Sequence, residues 1–247
     1  MSRGAERTVQ DAAAGRYEEL RYALPEARRY HEWWADRMIS LADDVLLAGR
    51  VLDDGCGIGL QLERLEARTA AVGVDLSLGM LSRARRTARP LAQGDGTALP
   101  FPDRSFDLIF ARALLHHLID PDAGLAEMRR VLRPGGQVVL ADTNRSLLSS
   151  LPRRLIYRTR AFSEHHRNFR RSGYLAAIRR HLTVERVEFF GYVAYPLGFP
   201  DLVAPLRRIR PPRGLLELLI RLDEGIARIP WLRTQSWGVM VSARKEP

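Results

Sequence analysis

Asp53 and three glycines sit together in the run Val51-Leu52-Asp53-Asp54-Gly55-Cys56-Gly57-Ile58-Gly59, where an apolar strand passes into glycines at alternate positions and then into a helix-forming stretch, Leu60–Ala67. Glycines at such a bend let a ligand approach the backbone, and the helix behind them offers N–H groups and a positive dipole end. About twenty residues on, a second apolar run, Ala71–Val74, ends in Asp75, whose carboxylate can accept two hydrogen bonds from a ribose diol. Together the two features select a nucleoside. The spacing is Gly-x-Gly-x-Gly rather than Gly-x-Gly-x-x-Gly, and Asp53 would repel a pyrophosphate, so a dinucleotide fits poorly. A ligand that is cationic at that end fits well. S-adenosylmethionine is one, with its ammonium and sulfonium near Asp53 and its ribose at Asp75.

A second set of residues could move a proton. His116 and His117 follow the fourth strand-like run and Asp142 follows the fifth, at the carboxyl ends of strands where α/β folds hold their chemistry. Imidazole suits proton transfer near neutrality, and Asp142 could orient it or balance its charge. The competing reading packs one histidine under a helix and bonds the other to a loop. Neither reading builds a metal site from His116, His117, His165 and His166, because adjacent histidines on a strand or extended loop point apart. Cys56 is the one cysteine, which excludes an internal disulfide and a cysteine-built metal cluster; we read it as packing rather than as a nucleophile.

Positioning these groups requires strands that alternate with helices. Short apolar runs at Val51-Leu52, Ala71–Val74, Pro90–Ala92, Phe106–Phe110 and Gln137–Ala141 predict a parallel sheet covered on both faces. Ser77 caps a helix Leu78–Ala88. Asp120 followed by Pro121 starts another through Leu132, which stops at Arg133-Pro134-Gly135-Gly136. Ahead of the sheet, some forty-five helix-like residues rich in aromatics, including Trp33 and Trp34, read as a lid. Behind it, Ser172 caps a helix Gly173–Arg180, and Leu182–Tyr195 and Ser236–Ala243 read as strands.

Four stretches in this order, LDDGCGIG, GVDLSLGML, QGDGTALPFPDRSFDLIFARALLHHL and MRRVLRPGGQVVL, resemble the motifs of class I S-adenosylmethionine-dependent methyltransferases, most closely the methyltransferase type 11 group with its quinone-biosynthesis and natural-product enzymes. The likeness covers roughly residues 45–143. It implies a Rossmann-like α/β fold, with a seven-stranded, mostly parallel sheet whose last strand is antiparallel. It also implies methyl transfer from S-adenosylmethionine, leaving S-adenosylhomocysteine, with no metal. By the same likeness Asp53, Gly55, Gly57 and Gly59 match the methionine-end loop and Asp75 the ribose-binding acid. Leu76 and Met80 match residues flanking the adenine, Asp95 and Gly96 its amino and ring contacts, and Ala111 a backbone contact to the methionine portion. Asp54 departs from the pattern, which more often has an apolar residue there. Pointing into the sheet it would need a partner, and pointing outward it would cost little.

With 247 residues, 46% hydrophobic and 28% charged, the chain suits one globular domain. We divide it into a helical lid (1–45), a cofactor-binding core (46–143) and an acceptor-side region (144–247). No apolar run has signal-peptide character or bilayer-spanning length, so the expected location is cytoplasmic. The net charge of +10 is segregated: residues 1–143 hold 19 Arg against 21 acids, and residues 144–247 hold 20 Arg and Lys against 8. An insert, 196–235, separates the last two strands and carries arginines together with leucines and isoleucines at helical spacing. It reads either as a peripheral membrane contact through 202–233 or a cover over a lipophilic acceptor, or else as a core-covering or dimer-forming helix. The leading function is methylation of O, N or C on a small-molecule, lipophilic or secondary-metabolite acceptor. A tRNA or rRNA methyltransferase is allowed by the basic region but lacks a base-flipping motif, and a binder of S-adenosylmethionine that does not methylate is the third class. Oligomeric state is not legible.

Overall fold

A computed structural model describes residues 24–247 except 67, 68, 148, 151–170, 200–211 and 213, together with Thr8, Asp11, Ala14, Gly15, Glu18, Glu19 and Tyr22. In chain order the elements are α1 (Pro25–Ile39), α2 (Asp44–Leu47), β1 (Arg50–Asp54), α3 (Leu60–Arg64), β2 (Ala70–Asp75), α4 (Leu78–Ala84), β3 (Leu91–Gln93), β4 (Phe106–Arg112), α5 (Pro121–Val131), β5 (Leu132–Thr143), α6 (Arg171–His181), β6 (Thr183–Phe190), α7 (Tyr195–Gly198), α8 (Leu215–Ala227) and β7 (Gly238–Arg244). The seven strands form one sheet in the order β3-β2-β1-β4-β5-β7-β6. All neighbours are parallel except β7, which runs antiparallel to both β5 and β6. This is the sheet expected from the sequence.

Alternation along β1 sends its side chains to two cores. Val51 joins Tyr30, Trp34 and Met38 of α1 on one face, whereas Leu52 joins Leu125 and Met128 of α5 and Tyr174 and Ile178 of α6 on the other. By the same alternation Asp53 belongs to the α1 face and Asp54 to the α5 face. Register then fixes what meets at the carboxyl edge: Asp53 lies beside Gly73 and Phe110, and Asp54 beside Val74 and Ala111, so β1, β2 and β4 end together.

Several boundaries differ from the sequence reading. Ser77 does cap α4, accepting from Met80 N at 3.1 Å, and Asp120 caps α5 through Asp122 N and Ala123 N. The Arg133–Gly136 turn does not end in a separate loop; β5 begins at Leu132 and absorbs the turn as a bulge, with Phe106 opposite Leu132 and Leu108 already opposite Gln137. Gly135 supplies the positive φ (+77°) this needs, and its N–H is taken by the carbonyl of Lys245. Ser172 lies inside α6 rather than ahead of it. The strand expected to run to Tyr195 stops at Phe190, because Gly191 turns the chain (φ +73°) and the buried Asp223 of α8 captures the N–H groups of Tyr192 and Val193 at 2.9 and 2.7 Å. Of the insert, residues 200–211 and 213 lie outside the described residues, as do His165 and His166.

Candidate functional site

One cleft opens at the carboxyl edge of β1, β2 and β4, under α1. Of the residues singled out from the sequence, Asp53, Gly55, Gly57, Asp75, Leu76, Met80, Asp95, Gly96 and His117 line it together. A separate cavity of about 480 Å³ between α1, β6 and α8 holds none of them.

The glycine loop is built by backbone bonds that leave little freedom. Gly55 and Cys56 both donate to Val74 O at 2.9 Å, and the loop then turns back through Gly57 (φ +54°). Asp75 ties this loop to the next helix: Gly57 N donates to its Oδ2 at 2.8 Å and Ser77 N to its Oδ1 at 2.9 Å. A carboxylate has about four acceptor sites, so Asp75 can still take a further donor. Gly59 serves packing instead, since a Cβ there would stand 2.6 Å from Thr87 Cγ2 beyond α4. Met80 is buried against Ile58 and Ala14, and Asp95 folds into a turn that accepts from Thr97 N and Oγ1 at 2.8 and 2.7 Å. Ala111 packs in the α5-side core, and the next residue, Arg112, enters the cleft. The Cys56 thiol is buried and burial pushes its pKa far up, which fits packing rather than nucleophilic chemistry.

Asp53 and Asp54 are each only 1% exposed, and the Oδ2 of each receives no hydrogen bond. Burial pushes Asp53 up to about 7, opposed by Arg112 and reinforced by Asp75. Burial, followed by Asp53, Asp75, Asp95 and Glu127, pushes Asp54 up to about 8. Buried carboxyls without donors cost stability, on the order of 1–3 kcal/mol each.

His116, His117 and Asp142 come together, but in unequal places. His116 Nδ1 lies 2.6 Å from Asp142 Oδ1, its backbone N–H donates to Oδ2 at 3.2 Å, and both side chains are buried. His117 alone of the three lines the cleft. Its ring lies 4.1 Å from that of His116 at 37°, so the expectation that the adjacent histidines point apart is corrected. The segment is a turn rather than a strand or extended loop, with His117 N bonded to Leu114 O, and period-two alternation does not apply.

The sequence reading names an aromatic lid over residues 1–45, Trp34 included, but not Tyr22, His31, Arg112 or Phe199 as lining of the cleft. Tyr22, His31, Trp34 and Phe199 form an aromatic wall: His31 stacks with Trp34 at 6.1 Å and 19° and meets Phe199 and Tyr22 edge-on at 4.9 and 5.1 Å. Arg112 joins it, 3.2 Å from His31 Nδ1, 3.3 Å from the Tyr22 hydroxyl and 5.3 Å above the Trp34 ring. The available signal was Arg112, a charged residue closing the apolar run Leu108–Ala111.

Residues 52–140 match the Methyltransf_11 family model, a methyltransferase domain. The chain is 41% identical over 117 residues to the demethylmenaquinone methyltransferase of Mycobacterium sp. (strain KMS), covering 42% of this chain and 51% of that protein. It is 39% identical over 102 residues to a phosphatidylethanolamine N-methyltransferase of Cereibacter sphaeroides, covering 38% and 50%. It thus spans about half the length of the curated relatives it matches. Among solved structures, an S-adenosylmethionine-dependent methyltransferase of Thermotoga maritima superposes with a TM-score of 0.68 at 18% identity, covering 98% of this chain and all of that one. At that identity the likeness is one of fold, the Rossmann-like sheet.

Proposed function

We propose, from the match of residues 52–140 to the Methyltransf_11 methyltransferase-domain model, that this chain is a class I S-adenosylmethionine-dependent methyltransferase that methylates a small, lipophilic acceptor held under α1. The observation that carries the reading is the cleft: an unsatisfied Asp53 oxygen, Asp75 bonded to the glycine loop, and aromatic walls with His117 beside them. The residues fit the cofactor. Asp53 suits its cationic amino-acid end, Asp75 its ribose diol, and Leu76 and Met80 the faces of its base. When bound, S-adenosylmethionine supplies an electrophilic methyl group on sulfur.

The protein's own part is then placement, exclusion of water and proton control. Tyr22, Trp34 and Phe199 give the acceptor apolar and aromatic surface and keep water from the reacting atoms. His117 receives the proton of a hydroxyl or amine acceptor. Asp142 holds His116, and His116 braces the His117 ring, so both are positioning residues. Methyl-labelled S-adenosylmethionine incubated with fractions of a cell extract tests the function: label in the lipid or small-molecule fraction, absent with Asp75→Ala, is expected. Label in nucleic acid, or none despite cofactor binding, overturns it.

A peripheral contact with a lipid surface follows from α8 in the same reading. Its outer face exposes Leu218 and Leu222, continued by Ile229 and Trp231, with Arg221, Arg228 and Arg233 alongside. Apolar residues flanked by arginines match an anionic lipid interface. No described helix is long and apolar enough to cross a membrane. Co-sedimentation with anionic but not neutral vesicles, lost in Leu222→Glu/Trp231→Glu, is the expected outcome.

A further inference from the structure

Asp54 is the residue at which the sequence leaves the family pattern, and the fold gives it no protein donor at Oδ2. It ends β1 on the α5 face. There it stands against the loop after β3: a Cβ built on Gly96 would lie 3.4 Å from Asp54 Oδ1, 3.6 Å from Oδ2 and 3.5 Å from Leu118 Cδ2. Asp54, Gly96 and Leu118 all line the cleft, so the carboxyl forms one of its corners. The contrast with neighbouring acids is chemical. Both Asp75 oxygens accept backbone N–H groups, and Asp95 closes a turn with Thr97, whereas Asp54 lies in the combined negative field of Asp53, Asp75, Asp95 and Glu127. An acid in such company is held in its neutral form near pH 7, in which it carries one O–H donor and one carbonyl acceptor.

We propose that Asp54 reads the nucleobase of the cofactor, its carboxyl bridging the amino donor and the adjacent ring-nitrogen acceptor on one edge of adenine. This rests on the reading that the cleft takes S-adenosylmethionine. A side-chain donor and acceptor placed side by side match adenine as Asn and Gln amides do elsewhere. An apolar residue at position 54 would pack equally well but read nothing. The buried polar atom would then gain its partner only when the base is present, which accounts for an acid where the family pattern has an apolar side chain.

Calorimetric titration tests this with two probes, S-adenosylhomocysteine and its analogue lacking the 6-amino group, on wild type, Asp54→Leu and Asp54→Asn. Wild type is expected to prefer the amino-bearing probe by about tenfold or more, the range of one good bidentate base contact. Asp54→Leu should lose most of that preference while its melting temperature without ligand stays level or rises. Asp54→Asn, which keeps a donor and an acceptor, should retain the preference. An unchanged preference in a folded Asp54→Leu protein overturns the proposal and makes Asp54 a tolerated buried acid. No binding of S-adenosylhomocysteine to the wild type overturns the cofactor reading, and the proposal with it.

Discussion

The cleft under α1 and the corner where α8 meets β6 both bury aspartates, and they equip them in opposite ways. Asp223, 3% exposed, accepts from Tyr192, Val193 and Ala194 backbone N–H groups, so it closes the turn that ends β6. Asp53 and Asp54, equally buried, have an oxygen that receives nothing. A carboxylate surrounded by backbone donors stabilises the chain around it. One with an oxygen left without a donor costs stability until a ligand or water supplies one. Substitutions in the cleft should therefore alter binding and turnover, and those in the corner should alter stability.

The largest effect expected is on turnover. His117→Ala should lower kcat by about 10²–10⁴-fold for a hydroxyl or amine acceptor, with cofactor affinity nearly unchanged, as steady-state kinetics and calorimetry together would report. Next, Asp53→Asn should weaken S-adenosylmethionine binding by about 10–100-fold through loss of one charge-assisted bond, yet leave the ligand-free protein at least as stable. Asp223→Ala makes the opposite trade: stability falls by about 2–3 kcal/mol in denaturant titration and cofactor affinity holds. The comparison between the two corners breaks if Asp223→Ala weakens the cofactor as much as Asp53→Asn does.

The smallest and most diagnostic effect is on pH dependence. Asp53 and Asp54 are held at about 7 and about 8, above an unfolded value near 4, so the folded chain keeps protons that the unfolded chain has released. Their contribution favours the fold at low pH and is progressively lost as pH rises from about 4 to about 8. Melting curves of the ligand-free protein should fall across that window, and Asp54→Asn should flatten the fall. Cofactor affinity should run the other way, rising with pH through about 7 as Asp53 ionises.

Much of the cleft was legible because its chemistry is local. A strand that ends in alternating glycines, and a second that ends in an acid, are set within about twenty-five residues, and parallel register then brings Asp53 and Asp75 to one edge. The lid was legible as an aromatic helix, but not which side chains it brings to the cleft, because His31, Arg112 and Phe199 come from three distant parts of the chain and meet only in the packed fold. The end of β6 was misplaced for the same reason. Its stop is set by the turn at Gly191, a signal the sequence reading passed over, and by Asp223, thirty or so residues later, which holds that turn. The histidine pair shows a third limit: a run that reads as extended was a turn, and the turn brings the tilted rings together.

The chain's one lysine, Lys245, donates from Nζ to the carbonyls of Arg129 and Leu132 at 2.8 and 2.7 Å and so closes the end of α5. Amine-directed chemistry on this protein has a single side-chain target, and that target is a helix cap. A dye or crosslinker attached there by acylation would remove the charge and two of its hydrogen bonds at once. Side-chain labelling at lysine would thus report on the far, non-catalytic rim of the sheet and loosen it in the act. Attachment for single-molecule or surface work is better made through an introduced cysteine on an exposed position of α8, since Cys56 is buried and will not compete.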